Sequence, residues 1–275
     1  MPHQRPISCY LVKVVADSSI SSYTVLLARV LVISDIHANM QALDACMNAA
    51  PAHDVVWNLG DVVGYGASPN ETIQVSRRIG QCFVRGNHDK ACSGISDARD
   101  FNRAAALSAV WTREALSPDN LDWLKELPAG PIKCDGAQIA HGSPLDEDHY
   151  LLDVVDGCRT LADAGARLNF FGHTHVQGGF ADGDGRCYRI LPDYLEADGL
   201  ANCTIELVND TEYLINPGSV GQPRDGDARS SFALWDSDAR TMTFYRVPYD
   251  IPAAQQLIRD AGMHEWLADR LALGR

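Results

Sequence analysis

Short clusters of acidic, amide and imidazole side chains follow one apolar stretch after another, and they constrain the fold of this chain most. The apolar stretches, typical of buried strands, are residues 29–33, 55–59, 82–84, 137–140 and 168–171. The clusters that follow them are Asp35-Ile36-His37, Gly60-Asp61, Gly86-Asn87-His88-Asp89, His141-Gly142 and Gly172-His173-Thr174-His175. Ligands in open α/β sheets bind beyond the carboxyl ends of the strands. The five clusters are therefore predicted to converge on one site.

Helical patterns separate the first strands. Apolar residues recur at helical spacing from Met40 to Met47, with Asn39 as a predicted N-cap, and residues 69–79 begin with a proline. Further helices are predicted over 101–116 and 118–127. This β-α-β-α order predicts an α/β fold with a largely parallel sheet and helices on its faces.

The pattern changes after residue 177. Residues 182–185 predict a hairpin turn. Strands are predicted over 203–207, 213–215, 232–235 and 242–247, and closing helices over 250–262 and 265–273. The chain has no internal repeat or obvious linker, so one domain over residues 29–275 is expected.

The clusters share one ligand chemistry. Carboxylate, imidazole and amide oxygen together suit Mn, Fe, Zn and similar divalent ions. The candidate ligands are Asp35, His37, Asp61, Asn87, His141, His173 and His175. They are too many for one ion, so we expect two ions with one bridging carboxylate. A lone strand-end histidine is usually only hydrogen-bonded, and His3, His53, His149 and His264 are interpreted as surface or helix-cap residues. His149 could instead line a cleft.

The ordered clusters resemble the calcineurin-like metallophosphoesterase superfamily over about residues 30–247. Residues 59–66 (Leu-Gly-Asp-Val-Val-Gly-Tyr-Gly) and 216–224 (Asn-Pro-Gly-Ser-Val-Gly-Gln-Pro-Arg) are similar to its small prokaryotic phosphodiesterase and diadenosine tetraphosphatase-like branch. The resemblance implies a four-layer α/β/β/α sandwich. Residues 1–28 precede the point where family members usually begin, and form an N-terminal extension of unknown role.

The resemblance also implies roles for the candidate residues. Asp35, His37 and His175 would bind one ion, Asn87, His141 and His173 the other, and Asp61 would bridge them. His88 corresponds to the family's histidine near the leaving group, a general acid. Mn²⁺ is the expected metal, with Fe, Zn, Ni or Co as alternatives. Metal-activated hydroxide would cleave a phosphodiester, a phosphomonoester or a dinucleoside polyphosphate.

Two alternatives belong to the same fold. One is a non-catalytic metal-binding scaffold, as in a retromer subunit that has lost the catalytic histidine; here His88 is present. The other is a protein phosphatase, but those enzymes carry a Gly-Asp-x-x-Asp-Arg-Gly run, whereas Val62-Val63-Gly64 follows Gly60-Asp61 here.

The composition of the chain limits the classes of molecule that it is expected to bind. The formal net charge is −13, which argues against nucleic-acid binding and against docking on anionic membranes. A phosphate-ester or nucleotide substrate remains compatible, because bound metal supplies positive charge. The eight cysteines form no C-x-x-C pair and are interpreted as reduced core thiols of a cytoplasmic protein. Neither a membrane helix nor a signal peptide is predicted.

Several assignments stay open. Asp89 either orients a site residue or stabilises its turn. Residues 216–219 form either a loop beside the site or a plain Pro-Gly turn. Arg224 either contacts a substrate phosphate or forms a surface ion pair. Residues 142–164 and 178–200 are candidate substrate loops, whose aromatic residues stack on a base or pack on the sheet: Tyr150, Phe180, Tyr188 and Tyr194.

Overall fold

Two β-sheets form the frame of residues 29–275, the part of the chain that this computed structural model describes. The predicted extension over residues 1–28 lies outside the described residues. The strands are β1 (Arg29–Ile33), β2 (Val55–Asn58), β3 (Cys82–Phe83), β4 (Ile132–Cys134), β5 (Ala137–Ile139), β6 (Leu168–Phe170), β7 (Gly178–Gly183), β8 (Arg186–Ile190), β9 (Ala201–Glu206), β10 (Glu212–Asn216), β11 (Ser230–Asp236) and β12 (Thr241–Val247).

The helices lie between and after these strands. They are α1 (Met40–Ala49), α2 (Pro69–Ile79), α3 (Asn87–Ser93), α4 (Arg103–Ala115), α5 (Pro118–Glu126), α6 (Val154–Asp163), α7 (Ile251–Asp260) and α8 (Glu265–Asp269), followed by a 3₁₀ turn at Arg270–Leu273. The predicted N-cap is confirmed, since the Asn39 side chain accepts a hydrogen bond from the Ala42 amide. Sequence analysis did not predict α3, α6 or β4.

The expectation of a largely parallel sheet is wrong. The spatial orders are β3-β2-β1-β11-β12-β9 in the first sheet and β4-β5-β6-β10-β7-β8 in the second. Only β1–β2, β2–β3, β5–β6 and β6–β10 pair in parallel. The later half of the chain supplies hairpins, β7–β8 and β11–β12, which extend both sheets with antiparallel strands.

The two sheets stack face to face with helices outside, which confirms the four-layer sandwich. Along β1, Val30 and Val32 point into the core between the sheets, where they join Phe170 of β6. Leu31 and Ile33, on the other face of β1, pack against α1. A strand that is buried on both faces has apolar residues in succession. This explains why polar and apolar residues do not alternate over residues 29–33. On the second sheet, Leu161 of α6 covers the outer face.

Two disulfides correct the interpretation of the cysteines. Cys82 on β3 is bonded to Cys134 on β4, and Cys158 on α6 to Cys187 on β8. Cys46, Cys92 and Cys203 are free, and Cys9 lies outside the described residues. The partners are 52 and 29 residues apart and meet only through the tertiary fold, so spacing did not reveal them. The thiols no longer support a cytoplasmic location, which stays a prediction.

Within residues 29–275, every helix is too short or too polar to cross a lipid bilayer.

Candidate metal centre

The carboxyl ends of β1, β2, β5 and β6 bring two groups of ligand atoms together at one edge of the sandwich. Asp35, His37, Asp61 and His175 each place one ligand atom within 4.8 Å of the others. Asp61, His141 and His173 do the same. The six residues, called the metal cluster below, are all buried, and Asp61 belongs to both groups. The two groups contain six of the seven predicted ligands and share Asp61, whereas Asn87 is not among them.

The backbone of the metal cluster is held in a conformation that L-residues rarely adopt. Positive φ angles near the left-handed region occur at Asp35 (52°), His37 (50°), Asp61 (52°), His173 (65°) and His175 (59°). Each such residue costs about 1–3 kcal/mol, so the surrounding structure must impose it. Strain of this kind concentrates at functional sites. Hydrogen bonds between the two strand ends maintain it, with the Asp35 amide donating to Gly60 O (3.0 Å) and the His37 amide to Asp61 O (2.9 Å).

Two glycines allow the loops to approach the carboxylates closely. A Cβ atom on Gly86 would lie 1.9 Å from Asp61 Oδ1. A Cβ atom on Gly172 would lie 2.0 Å from Ser34 Oγ and 2.8 Å from Asp35 Oδ2. No other residue fits at either position without moving a carboxylate.

The four imidazoles of the metal cluster share one hydrogen-bonding arrangement. One ring nitrogen of each donates to a backbone carbonyl. The pairs are His37 Nδ1–Val63 O (3.2 Å), His141 Nδ1–Leu59 O (2.8 Å), His175 Nδ1–Gln222 O (2.6 Å) and His173 Nε2–Asp148 O (3.1 Å). These bonds leave the second nitrogen of each ring directed into the cluster. A histidine that binds a metal is oriented in this way, with its other N–H donated to a carbonyl or carboxylate.

The second nitrogens face each other in pairs. His37 Nε2 lies 3.1 Å from His175 Nε2, and His141 Nε2 lies 3.1 Å from His173 Nδ1. Donor atoms around one ion with ligand distances of about 2.1 Å lie roughly this far apart. A cation between His37 and His175 would relieve the repulsion of their facing lone pairs.

Each carboxylate has one oxygen held by the backbone and one directed at the imidazoles. Asp61 Oδ1 accepts from the His88 amide (2.8 Å), whereas Oδ2 lies 3.3 Å from His141 Nε2 and 3.6 Å from His37 Nε2. Asp35 Oδ2 accepts from the His173 amide (3.1 Å). Asp35 Oδ1 lies 3.2 Å from His175 Nε2 and has no hydrogen-bond partner among the described residues.

The electrostatics of the metal cluster favour a cation. Burial lowers the pKa values of His37, His175 and His173, the last to about 3, so these rings are neutral and keep a lone pair at neutral pH. Burial also acts to lower the pKa of His141, but Asp61 outweighs it and raises this pKa to about 10. The pKa of Asp61 lies well below its ordinary value because the histidine charges outweigh the raising effect of burial. Ionised carboxylates and neutral imidazoles are the donor set of a divalent metal site, and a bound metal would displace the second proton of His141.

Asn87 and His88 lie at the border between the metal cluster and a cavity of about 400 Å³. Asn87 Oδ1 is buried and has no hydrogen-bond partner among the described residues, as expected of an amide oxygen kept for a ligand. The His88 ring packs against Tyr65 and Phe101, with ring centroids 4.2 and 4.4 Å away. Burial lowers the pKa of His88 to about 4, so it carries a neutral N–H donor at neutral pH.

Asp89 and the loop at 216–219 stabilise the backbone around the metal cluster. Asp89 accepts hydrogen bonds from the Val63 amide (3.2 Å) and the Gly86 amide (3.0 Å), so it ties together the turns that carry Asp61 and Asn87. Asn216 Nδ2 donates to Gly172 O (2.8 Å), and Ser219 Oγ donates to Asp35 O (2.8 Å). The loop lies beside the site and fixes the backbone that carries its residues.

Three of the remaining histidines have the structural roles expected of them. His264 caps α8 by accepting from the Trp266 amide, and His53 Nδ1 donates to Pro51 O. His149 Nε2 forms a half-exposed hydrogen bond with Asp156 Oδ2 at 2.7 Å. His3 lies outside the described residues.

The cavity wall is the part that sequence analysis mostly missed. Residues 96–102 and Arg270 line it, although no motif marked them. Tyr65 also lines it and lies in the stretch over residues 59–66, but no role was predicted for it. Tyr150 lines it and stacks on His173 at 3.6 Å between ring centroids. Residues 178–200 do not line this cavity. Phe180 is buried in the core, and the ring of Tyr194 packs against the guanidinium groups of Arg229 and Arg246. The predicted second substrate loop is therefore not at this cavity.

The two-sheet sandwich and its buried cluster define an α/β protein whose residues suit a divalent metal. Residues 29–240 match the family model of the calcineurin-like phosphoesterase superfamily domain, and the chain belongs to that superfamily.

Two solved structures and one curated protein are similar to this chain. A metallophosphoesterase from Sphaerobacter thermophilus is 35% identical, with a TM-score of 0.77 and coverage of 90% of this chain and 100% of that one. An uncharacterized protein of Methanocaldococcus jannaschii is 35% identical over 262 residues, 90% of this chain and 99% of its own length. A hypothetical protein from Pyrococcus horikoshii OT3 shares the fold, with 17% identity, a TM-score of 0.68 and coverage of 90% and 98%.

Proposed function

We propose that this protein is a phosphohydrolase that uses two divalent metal ions to cleave phosphoester bonds. One observation carries the proposal: four buried imidazoles each give one N–H to a backbone carbonyl and turn the other nitrogen toward Asp35 and Asp61. We assign Asp35, His37 and His175 to one ion, Asn87, His141 and His173 to the other, and Asp61 to both.

When bound, the ions supply a nucleophilic hydroxide near neutral pH and offset negative charge on the phosphoryl oxygens. The side chains of the metal cluster hold the ions, and the backbone amides of His88 and His173 orient the two carboxylates. His88 lines the cavity, where we propose that the negative charge of a bound phosphate ester favours its protonated form, which hydrogen-bonds and protonates the leaving oxygen and returns to the neutral ring. Tyr65 and Phe101 pack on its ring and restrict its orientation.

The proposal favours an enzyme over a scaffold because His88 faces a cavity of about 400 Å³ beside the metal cluster, large enough for a small phosphate ester. We propose Mn²⁺ as the physiological metal, since carboxylate, amide and imidazole donors all suit it.

Hydrolysis of bis-p-nitrophenyl phosphate, p-nitrophenyl phosphate and diadenosine tetraphosphate tests this function. The protein is first stripped with a chelator and then assayed with and without added Mn²⁺. We expect turnover of at least one ester to be lost on stripping and restored by Mn²⁺. Two bound Mn²⁺ ions without turnover of any ester would contradict the hydrolase and favour the scaffold.

A further inference from the structure

Two arginines stand one aromatic ring away from the metal cluster. The ring of Tyr65 lies 4.7 Å from that of His37 and 4.2 Å from that of His88. The guanidinium carbons of Arg224 and Arg270 each lie 5.7 Å from the centroid of the Tyr65 ring, so they are at most twice that distance apart. Both residues line the cavity that His88 borders. They are called the arginine pair below.

Neither member of the arginine pair has an Asp or Glu partner. Among residues 29–275, no Asp or Glu side chain forms an ion pair with either guanidinium, although the chain as a whole is strongly acidic. Other partly buried basic groups do have one: Arg229 pairs with Asp227, and Lys90, in the same cavity, pairs with Glu147 (3.0 Å). Burial and the charge of Arg224 lower the pKa of Arg270 to about 10, so Arg270 remains charged at neutral pH. Asp97, Asp100 and Asp148 also line the cavity, but Asp97 pairs with Arg99 and Asp148 with Lys90. The two arginines therefore still outnumber the one remaining carboxylate, which favours an anionic occupant.

Hydrogen bonds hold both guanidinium groups in place and leave donors for a ligand. Arg224 Nη2 donates to the Tyr65 hydroxyl (3.3 Å) and to Gln222 Oε1 (3.0 Å). Arg224 Nε is buried with no hydrogen-bond partner among the described residues. Arg270 Nε donates to the backbone oxygen of Arg275. A guanidinium fixed in this way matches the geometry of phosphate oxygens, with little ordering left to do on binding.

We propose that the arginine pair is a second phosphate subsite, which selects substrates carrying another phosphoryl group beside the one that is hydrolysed. The substrate class is then an organic diphosphate or polyphosphate. A simple monoester held at the metal cluster would leave the pair without an anion. The assignment of the hydrolysed phosphoryl group to the metal cluster rests on the proposed function. Arg270 lies beyond residues 29–240, so one of the two arginines is outside the matched family domain.

The test measures anion binding by the chelator-treated full chain, without turnover. Imidodiphosphate, which has two phosphoryl groups and resists hydrolysis, is titrated by calorimetry beside inorganic phosphate. We expect imidodiphosphate to bind at least about tenfold more tightly, and Arg224→Gln and Arg270→Gln each to weaken it about tenfold to a hundredfold. Arg167→Gln is the matched control, since it removes the same charge from an exposed pair at the amino end of β6. Thermal unfolding of each variant confirms that the fold is retained.

A second measurement separates the subsite from the hydrolase. With Mn²⁺ added, both arginine variants should raise KM for diadenosine tetraphosphate and leave KM for p-nitrophenyl phosphate within about twofold. Imidodiphosphate binding that is unchanged in both folded variants would overturn the subsite, even if ester hydrolysis persists. Loss of binding in these variants, with no turnover of any ester by the wild type, would keep the anion site and overturn only the hydrolase.

Discussion

The metal cluster and the cavity wall beside it are built in different ways. Every member of the metal cluster follows the carboxyl end of a strand within five residues, so the two sheets position it almost directly. The cavity wall comes from a loop before α2, the connection between α3 and α4, the segment after β5, the loop between β10 and β11, and the 3₁₀ turn near the end of the chain. The two sheets therefore determine which chemical groups meet at the metal cluster, whereas the separate loops determine which substrate fits the cavity.

Asp61→Asn should have the largest effect, because Asp61 is the one residue common to both groups of ligand atoms. We expect bound Mn²⁺ to fall from about two ions per chain to about one or fewer, and turnover to fall about a thousandfold or more. Metal analysis of the purified variant, with Asp119→Asn as an exposed control, measures this. Two ions retained in the variant would contradict the bridging role.

His88→Ala should separate catalysis from metal binding. The ring borders the cavity but is not part of the metal cluster, so metal content should stay near the wild-type value. Turnover should fall about a hundredfold to ten-thousandfold, the usual contribution of a general acid. His149→Ala, which removes a half-exposed histidine paired with Asp156, should retain activity. Unchanged turnover in His88→Ala would exclude the proposed acid role.

Gly86→Ala tests the close approach of the loops to the carboxylates. The new methyl group would overlap Asp61 Oδ1, so the carboxylate must move. We expect Mn²⁺ affinity to fall by about tenfold or more and the free energy of unfolding to fall by about 1–3 kcal/mol. Gly199→Ala, where the new Cβ meets only the end of the Glu196 side chain at 3.2 Å, is the control. Equal metal affinities in the two variants would show that the Gly86 contact is unimportant.

Glu147→Gln should have the smallest effect, a loss of stability beside the cavity wall and not at the metal cluster. Glu147 joins Arg85 (2.9 Å) and Lys90 (3.0 Å), and the adjacent Asp148 carbonyl accepts from His173. The variant should lose about 1 kcal/mol or less of stability, because the pair is partly exposed.

The pH dependence of this loss has a defined sign. Burial raises the pKa of Glu147, but Arg85 and Lys90 outweigh it and lower the pKa below its ordinary value of 4.5. The contribution is therefore complete above pH 4.5 and is lost as the pH falls below it. Urea unfolding of wild type and variant at pH 7 and at pH 3.5 measures it, with the surface pair variant Glu265→Gln as control. A stability difference that stays constant across this range would contradict the assignment.

The sequence predicted the metal cluster because its chemistry lies in short stretches joined to strand ends. Asp35 and His37 are two residues apart, and so are His173 and His175, so the strands alone determine where they go. It predicted sheet direction poorly because only the first half of the chain alternates strand and helix. The disulfides and Arg270 depend on contacts between distant segments, which local patterns do not encode. Arg224 was recognised as a candidate only because it ends the stretch over residues 216–224.

The most direct test of the account is a crystal structure of the full chain grown with Mn²⁺, measured for anomalous scattering of manganese. We expect two anomalous peaks in the metal cluster, one among Asp35, His37 and His175 and one among Asn87, His141 and His173, with Asp61 contacting both. A single peak, or manganese bound anywhere else with the cluster unchanged, would contradict the dinuclear site on which the proposed hydrolysis depends.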